Sequence, residues 1–159
     1  MNVEDKQDRK TLTWLHVSDF HFKDDDPYDR DVVLNSLISA VEEKVRLKDI
    51  CPDCIFVTGD IAHSGREQEY AAASDFFDKL REVSALGKSR LFIVPGNHDV
   101  DRHKGKGLVR SLCSEEESVE FFGPKHPQHH FAKLEAFRQW FNDYFEGVRE
   151  FPSRSTCQA

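Results

Sequence analysis

The sequence predicts an α/β fold whose first half is a βαβαβ unit with parallel strands. Three short apolar runs rich in β-formers, TLTWLHV, CIFVTGD and LFIVPGNHD, follow one another in the first hundred residues. Between them lie two stretches whose apolar residues recur at helical spacing. Strands joined through a helix run parallel, whereas an antiparallel pair needs only a tight turn, so the order implies a parallel sheet with helices packed on it.

The elements follow in order. Residues 1–10, MNVEDKQDRK, are charged throughout and read as a solvated tail, and they lack the apolar core of a signal peptide. Residues 11–159 read as one domain. TLTWLHV, ended by Ser18 and Asp19, reads as a buried strand. FKDDDPYD is a loop, and its acid run Asp24 to Asp26 is a solvated turn. From Asp31 to about Lys48, Leu34, Ile38, Val41 and Val45 share one helix face. CIFVTGD is the second strand, stopped by Gly59, and HSGREQ is a loop or helix start. Tyr70, Ala73, Phe76, Phe77, Leu80 and Val83 mark a second amphipathic helix with Gly87 as its stop. LFIVPGNHD is a third strand ending in a turn.

Beyond Asp99 the pattern degrades. Residues 103–130 mix glycine, proline, charge and histidine and read as a long loop or insertion. Over about 130–146, Phe131, Leu134, Phe137, Phe141 and Phe145, with Trp140 and Tyr144 alongside, predict a helix whose aromatic face packs into a core. SRSTCQA closes the chain without a further strand. A three-stranded sheet has edges that need cover, so the expectation is an incomplete fold, the N-terminal part of a longer one.

Composition narrows the classes. Hydrophobic residues are 38% and charged residues 32%, which fits a globular chain and excludes collagen-like and strongly disordered ones. No apolar run approaches the roughly 18 residues of a membrane helix, and the expected compartment is the cytoplasm. Lys and Arg number 22 against 29 Asp and Glu, a net charge of −7. Proteins that hold a duplex by its phosphates usually show the reverse balance, so a nucleic-acid partner is not favoured. Cys51 and Cys54 form a Cys-x-x-Cys without a second pair at zinc spacing, and they read as two reduced cysteines at a strand start.

The ends of the three apolar runs carry the chemistry. The first gives Asp19-x-His21, the second Gly59-Asp60 followed by His63, and the third Gly96-Asn97-His98-Asp99. In open parallel sheets, sites form beyond the carboxyl ends of the strands, so these residues should converge. Asp19, His21, Asp60 and Asn97 offer carboxylate oxygen, imidazole nitrogen and amide oxygen. That mixed donor set suits Mn²⁺, Fe²⁺ or Zn²⁺. Two such cations clamp a phosphoryl group and activate a water. An Asp-x-His arises by chance about once in a chain of this composition, but Gly-Asn-His-Asp only on the order of 0.001 times.

SDFHF, VTGDIAHSG and VPGNHDVD resemble the first three motifs of the calcineurin-like metallophosphoesterase superfamily, and their wording is most similar to its bacterial branch related to cyclic-nucleotide phosphodiesterases. The resemblance runs from about Thr11 to Arg102. It implies a metallophosphoesterase-type β-sandwich flanked by helices (αββα) with a binuclear metal centre. It implies that Asp19 and His21 bind a first metal, Asp60 bridges two, and Asn97 binds the second. His98 would stabilise charge or protonate the leaving oxygen, and Asp99 would orient His98. The implied activity is hydrolysis of a phosphate mono- or diester by a metal-bridging hydroxide, on a small phosphate ester or nucleotide.

The resemblance has gaps. The family pattern continues with a further strand and His, then a Gly-His-x-His, and neither is present. His126, His129 and His130 are flanked by prolines and follow no apolar strand, so they do not fit as replacements. The expectation is an isolated chain with little activity. A nuclease of the same superfamily and a catalytically incomplete binding or regulatory module stay open as alternatives. His63 has no assigned role.

Overall fold

The computed structural model describes residues 11–23, 28–104, 113–122 and 132–152. Its centre is a three-stranded parallel sheet in the order β1 (Trp14–Val17), β2 (Cys54–Thr58), β3 (Leu91–Val94). Trp14 pairs with Cys54 and Val17 with Val57, while Ile55 pairs with Leu91 and Thr58 with Val94. α1 (Tyr28–Arg46) connects β1 to β2, and α2 (Glu69–Val83) connects β2 to β3. The expected α/β class with a βαβαβ unit is what the chain forms.

The register sorts the side chains. Ile55, Val57, Leu91 and Ile93 belong to the core with Tyr70, Ala73, Phe76, Phe77 and Leu80 of α2, and Leu15 and Val17, partly buried, pack against it. The alternate residues, Trp14, His16, Phe92 and Val94, are exposed, with Phe56 half-buried. Phe56 and Phe92 stack there at 5.4 Å, and His16 Nε2 and Thr58 Oγ1 meet in a 2.7 Å hydrogen bond across the strands. This corrects the reading of TLTWLHV as a buried strand. β1 is an edge strand and only one of its faces meets helices among the described residues, so Trp14 is 57% exposed.

Both crossover helices end in the same way, and neither uses glycine. After α2 the N–H of Ala85 donates to the Glu82 carbonyl and that of Leu86 to the Arg81 carbonyl, both at 2.9 Å. This is the double hydrogen bond of a Schellman stop, with Ala85 at φ 55°. Lys48, at φ 58°, does the same after α1. The expected stop at Gly87 is therefore preempted two residues earlier, and Gly87 has an ordinary negative φ of −78°.

A helix stands where the sequence reading placed a loop. α3 spans Glu115–Phe122 within residues 103–130. Ser114 caps it, its Oγ accepting from the Glu117 N–H at 3.1 Å, while the Glu117 carboxylate accepts from the Cys113 N–H at 2.8 Å. Three glutamates occupy its first turn, where the helix dipole favours them. The capping pattern Ser114-x-x-Glu117 was the overlooked signal. Gly105, Gly107, Gly123, Pro124, Pro127, His126, His129 and His130 lie outside the described residues, as do Asp24–Asp26, Phe131 and Cys157.

α4 (Glu135–Tyr144) brings Phe137, Trp140, Phe141 and Tyr144 against the core. Two hydrogen bonds fix it to α2. Trp140 Nε1 donates to Ser74 Oγ and the Tyr144 hydroxyl to Asp78 Oδ1, each at 2.8 Å. Tyr70 stacks on Trp140 at 5.1 Å. Neither Cys51 nor Cys54 is in a disulfide, and Cys54 is buried at the start of β2. No helix among the described residues is long and apolar enough to cross a membrane.

Candidate metal centre

The three strand ends are sewn together by backbone. Beyond β1 and β2 the parallel pairing continues through a bridge between Phe22 and Ala62. The N–H of Asp19 donates to the Gly59 carbonyl at 3.2 Å, that of His21 to Asp60 at 2.9 Å, and that of Phe22 to Ile61 at 2.7 Å. The turns that leave the sheet are tight. Asp19, His21 and Asp60 have φ of 62°, 49° and 52°, and they are three of the five non-glycine residues with positive φ among the described residues. Such residues cost of order 1–3 kcal/mol each and gather at functional sites.

Two glycines let the second and third strand ends touch. A Cβ on Gly59, itself at φ 94°, would lie 2.5 Å from the Gly96 nitrogen, and a Cβ on Gly96 would lie 2.5 Å from the Asp60 nitrogen. Through this contact the His98 N–H reaches Asp60 Oδ1 at 2.9 Å.

The result is a carboxylate–imidazole cluster. Asp19, His21 and Asp60 each present a donor atom within 4.8 Å of the others'. His21 Nε2 is 3.9 Å from Asp19 Oδ1, and Ser18 Oγ donates to Asp19 Oδ2. His21 Nδ1 is buried without a hydrogen-bond partner. Asn97, exposed, sits between Gly96 and His98, both of which contact this cluster. Two carboxylates and an imidazole suit a borderline or hard divalent cation.

His98 and Asp99 part company. The expectation was that Asp99 orients His98. Instead the His98 ring is held by a main-chain group: its Nδ1–H donates to the His63 carbonyl at 2.7 Å. The Asp99 side chain turns inward and is fully buried. Its carboxylate accepts from the N–H groups of Gly96 at 2.8 Å, Ala62 at 2.9 Å and Ile61 at 3.2 Å, and from the Tyr70 hydroxyl at 3.1 Å. A buried carboxylate needs such donors, and unpaired amides at the bend after Asp60 supply them. Burial pushes the Asp99 carboxyl above the ordinary carboxylate range, against the opposing pull of the Gly96, Ala62 and Ile61 amides. Burial and the nearby Asp99 charge likewise push the Tyr70 hydroxyl upward. Asp99 thus clasps two loops to α2 and is not a partner of His98. Sequence reasoning missed Tyr70, because helical periodicity identifies a core position without saying what its hydroxyl meets.

His63 finds a place that spacing alone did not give. Its N–H donates to the Phe22 carbonyl at 3.0 Å and its exposed ring faces those of His21 and His98.

Residues 12–153 match the family model of calcineurin-like phosphoesterase. Among curated proteins, the chain is 28% identical over 141 residues to the "Uncharacterized metallophosphoesterase-like protein YydB" of Bacillus subtilis (strain 168), covering 87% of this chain and 28% of that protein. It is 32% identical over 108 residues to the "Glycerophosphodiester phosphodiesterase GpdQ" of Enterobacter lignolyticus (strain SCF1), covering 62% of this chain and 33% of that protein. It is 29% identical over 101 residues to the "Probable cyclic nucleotide phosphodiesterase" of Vesicomyosocius okutanii subsp. Calyptogena okutanii (strain HA), covering 64% and 39%. The chain therefore spans between 28% and 39% of the length of these relatives.

Proposed function

Because the chain belongs to the calcineurin-like phosphoesterase family, we propose that Asp19, His21, Asp60 and Asn97 hold two divalent cations for hydrolysis of a phosphate mono- or diester. The single observation that carries this reading is the approach of donor atoms of Asp19, His21 and Asp60 to within 4.8 Å at the ends of β1 and β2. The buried, unpartnered Nδ1 of His21 and the positive φ of Asp19, His21 and Asp60 fit residues held for a ligand. Bound cations, Mn²⁺, Fe²⁺ or Zn²⁺ by the chemistry of the donors, would supply positive charge for the phosphoryl oxygens and lower the pKa of an attacking water.

The chain's own residues do the rest. Asp60 lies centrally, because its carboxylate serves the cluster while Oδ1 also accepts the His98 N–H and so fixes the Gly96–Asp99 turn. His98, its Nδ1–H given to the His63 carbonyl, keeps Nε2 as its second nitrogen. Protonated, that Nε2–H would be given to the leaving oxygen as the ester bond breaks. Asn97 would help to hold the second cation through its side-chain oxygen. Asp99 and Tyr70 hold the turns in register without touching substrate. The names of the two phosphodiesterase-like relatives support a small phosphodiester as substrate class.

A second reading, a metal-binding module without turnover, is favoured by one observation: among the described residues Asp60 and Asn97 are the donors this assignment leaves to the second cation. Binding of Mn²⁺ and hydrolysis of bis-p-nitrophenyl phosphate separate the two. Both are measured on this chain and on any longer protein that carries it. Mn²⁺ affinity should fall at least tenfold in Asp60→Asn, with Mn²⁺-dependent hydrolysis abolished. Undiminished affinity in Asp60→Asn refutes the site. Tight binding without hydrolysis in every form selects the module.

A further inference from the structure

We propose that His21, His63 and His98 form an all-imidazole cation site for a late first-row transition metal, beside the carboxylate cluster and different from it in donor chemistry. One ring nitrogen of each lies within 4.8 Å of those of the other two. The ring centroids are 4.5 Å apart for His21 and His98, 5.8 Å for His63 and His98, and 6.2 Å for His21 and His63. Backbone fixes all three. The His21 N–H donates to the Asp60 carbonyl, the His63 N–H to the Phe22 carbonyl, and the His98 N–H to Asp60 Oδ1. The rings thus hang from three different strand ends that are tied to one another.

Two observations bear on a ligand there, the first of them shared with the carboxylate cluster through His21. The Nδ1 of His21 is buried with no hydrogen-bond partner, whereas buried polar atoms are ordinarily satisfied. The Nδ1–H of His98 donates to the His63 carbonyl at 2.7 Å, which places the lone pair of the neutral ring on Nε2. A metal-ligating histidine characteristically gives its other N–H to a backbone carbonyl or carboxylate in this way. Three neutral imidazoles favour Zn²⁺, Ni²⁺ or Cu²⁺, whereas Asp19 and Asp60 add the oxygen donors that suit Mn²⁺.

His21 belongs to both clusters, so the two sites compete for one ring. A late transition metal seated on the imidazoles would also hold His98, the residue proposed as proton donor. The site is therefore inhibitory toward the proposed hydrolysis, while its existence does not depend on that reading.

The test is a titration of the metal-free chain with Zn²⁺, read by correlation spectra of the histidine ring nitrogens and by calorimetry. Zn²⁺ should shift the ring signals of His21, His63 and His98 together. In Asp60→Asn, which retains Oδ1 for the His98 N–H, Zn²⁺ should still shift His63 and His98. His63→Ala, at an exposed side chain, should bind Zn²⁺ at least tenfold more weakly while its Mn²⁺ affinity stays within twofold of the unsubstituted chain. Unmoved His63 signals in the unsubstituted chain overturn the proposal, and so does unchanged Zn²⁺ affinity in a folded His63→Ala. Should His63→Ala not fold, the ring signals of the unsubstituted chain decide alone. Failure of the unsubstituted chain to bind Mn²⁺ would instead refute the carboxylate site and leave this one standing, whereas loss of Mn²⁺ affinity in a folded His63→Ala would overturn the separation of the two sites.

Discussion

The Tyr70 hydroxyl donates to Asp99 Oδ1 at 3.1 Å, joining the first turn of α2 to the motif that follows β3. The same carboxylate takes the amides of Ile61, Ala62 and Gly96, so one buried side chain sets the spacing of two loops. Tyr70→Phe removes one donor of four and should cost about 1–2 kcal/mol, the order of one lost hydrogen bond at a buried charge. Asp99→Asn turns an amide N–H toward a nest of N–H donors and should cost about 3 kcal/mol or more. Urea unfolding measures both. The metal site should follow the loops, with Mn²⁺ affinity falling in Asp99→Asn far more than in Tyr70→Phe. Equal stability of Asp99→Asn and the unsubstituted chain would contradict the clasp.

Ala85 in the left-handed region gives a second expectation. A left-handed L-residue costs roughly 1–2 kcal/mol, and glycine recovers this at the expense of greater unfolded-state entropy. Ala85→Gly should therefore stabilise the chain by about 0.5–1 kcal/mol, and Lys48→Gly by a similar amount. The midpoint of urea unfolding should rise in both without a change in m. A lowered midpoint would mean that the two Schellman stops are not retained.

The strands, both crossover helices and the convergence of their ends were legible because short apolar runs and helical spacing are local properties. Asp19, His21 and Asp60 could be brought together on paper, since a parallel sheet sends successive strand ends to one edge. The partner of Asp99 could not. Asp99 is the residue after His98, so proximity in sequence suggested a pair, but the turn after β3 points their side chains apart. The aromatic run ending at Phe145 announced a core face, yet not the hydrogen bonds of Trp140 and Tyr144 that tie it to α2. The exposure of Trp14, Phe92 and Val94 on one face of the sheet was illegible for a related reason. An apolar side chain in a strand says that burial would be favourable, not which layer provides it.

Acid should loosen the contact between α2 and α4. Burial raises the Asp78 carboxyl, but the hydrogen bonds from Tyr144 and Arg81 outweigh it and leave the group below its ordinary value of 3.8. A depressed folded-state value means that Asp78 contributes stability above the unfolded-state value and loses it as pH falls through the lower, folded one. The side chain is half exposed, so screening keeps the effect small. Tyr144→Phe should flatten the fall in stability below about pH 4 relative to the unsubstituted chain. Urea midpoints between pH 6 and the onset of acid unfolding provide the comparison, and parallel curves for the two proteins would rule out the assignment.

Gly96→Ala tests whether the site depends on backbone contact or only on its side chains. A methyl group there would sit 2.5 Å from the Asp60 nitrogen and would also press on the Asp60 carboxylate. Neither neighbour can yield cheaply: the Asp60 turn is held by the hydrogen bond from His21, and the Gly96 amide is held by Asp99. The second and third strand ends must then separate, at a cost of about 1–3 kcal/mol for an overpacked contact. That separation would lengthen the bond from the His98 N–H to Asp60 Oδ1, the link that sets the third motif against the cluster. Stability should fall by that amount, and Mn²⁺ affinity should fall at least tenfold although no donor atom has been removed. Gly87→Ala is the control, because a Cβ there meets nothing closer than Ser89 Oγ at 3.8 Å. It should change neither quantity appreciably. Full Mn²⁺ affinity in a Gly96→Ala protein of reduced stability would show that the ligands assemble independently of the Gly59–Gly96 contact, and the backbone account of the site would then be wrong.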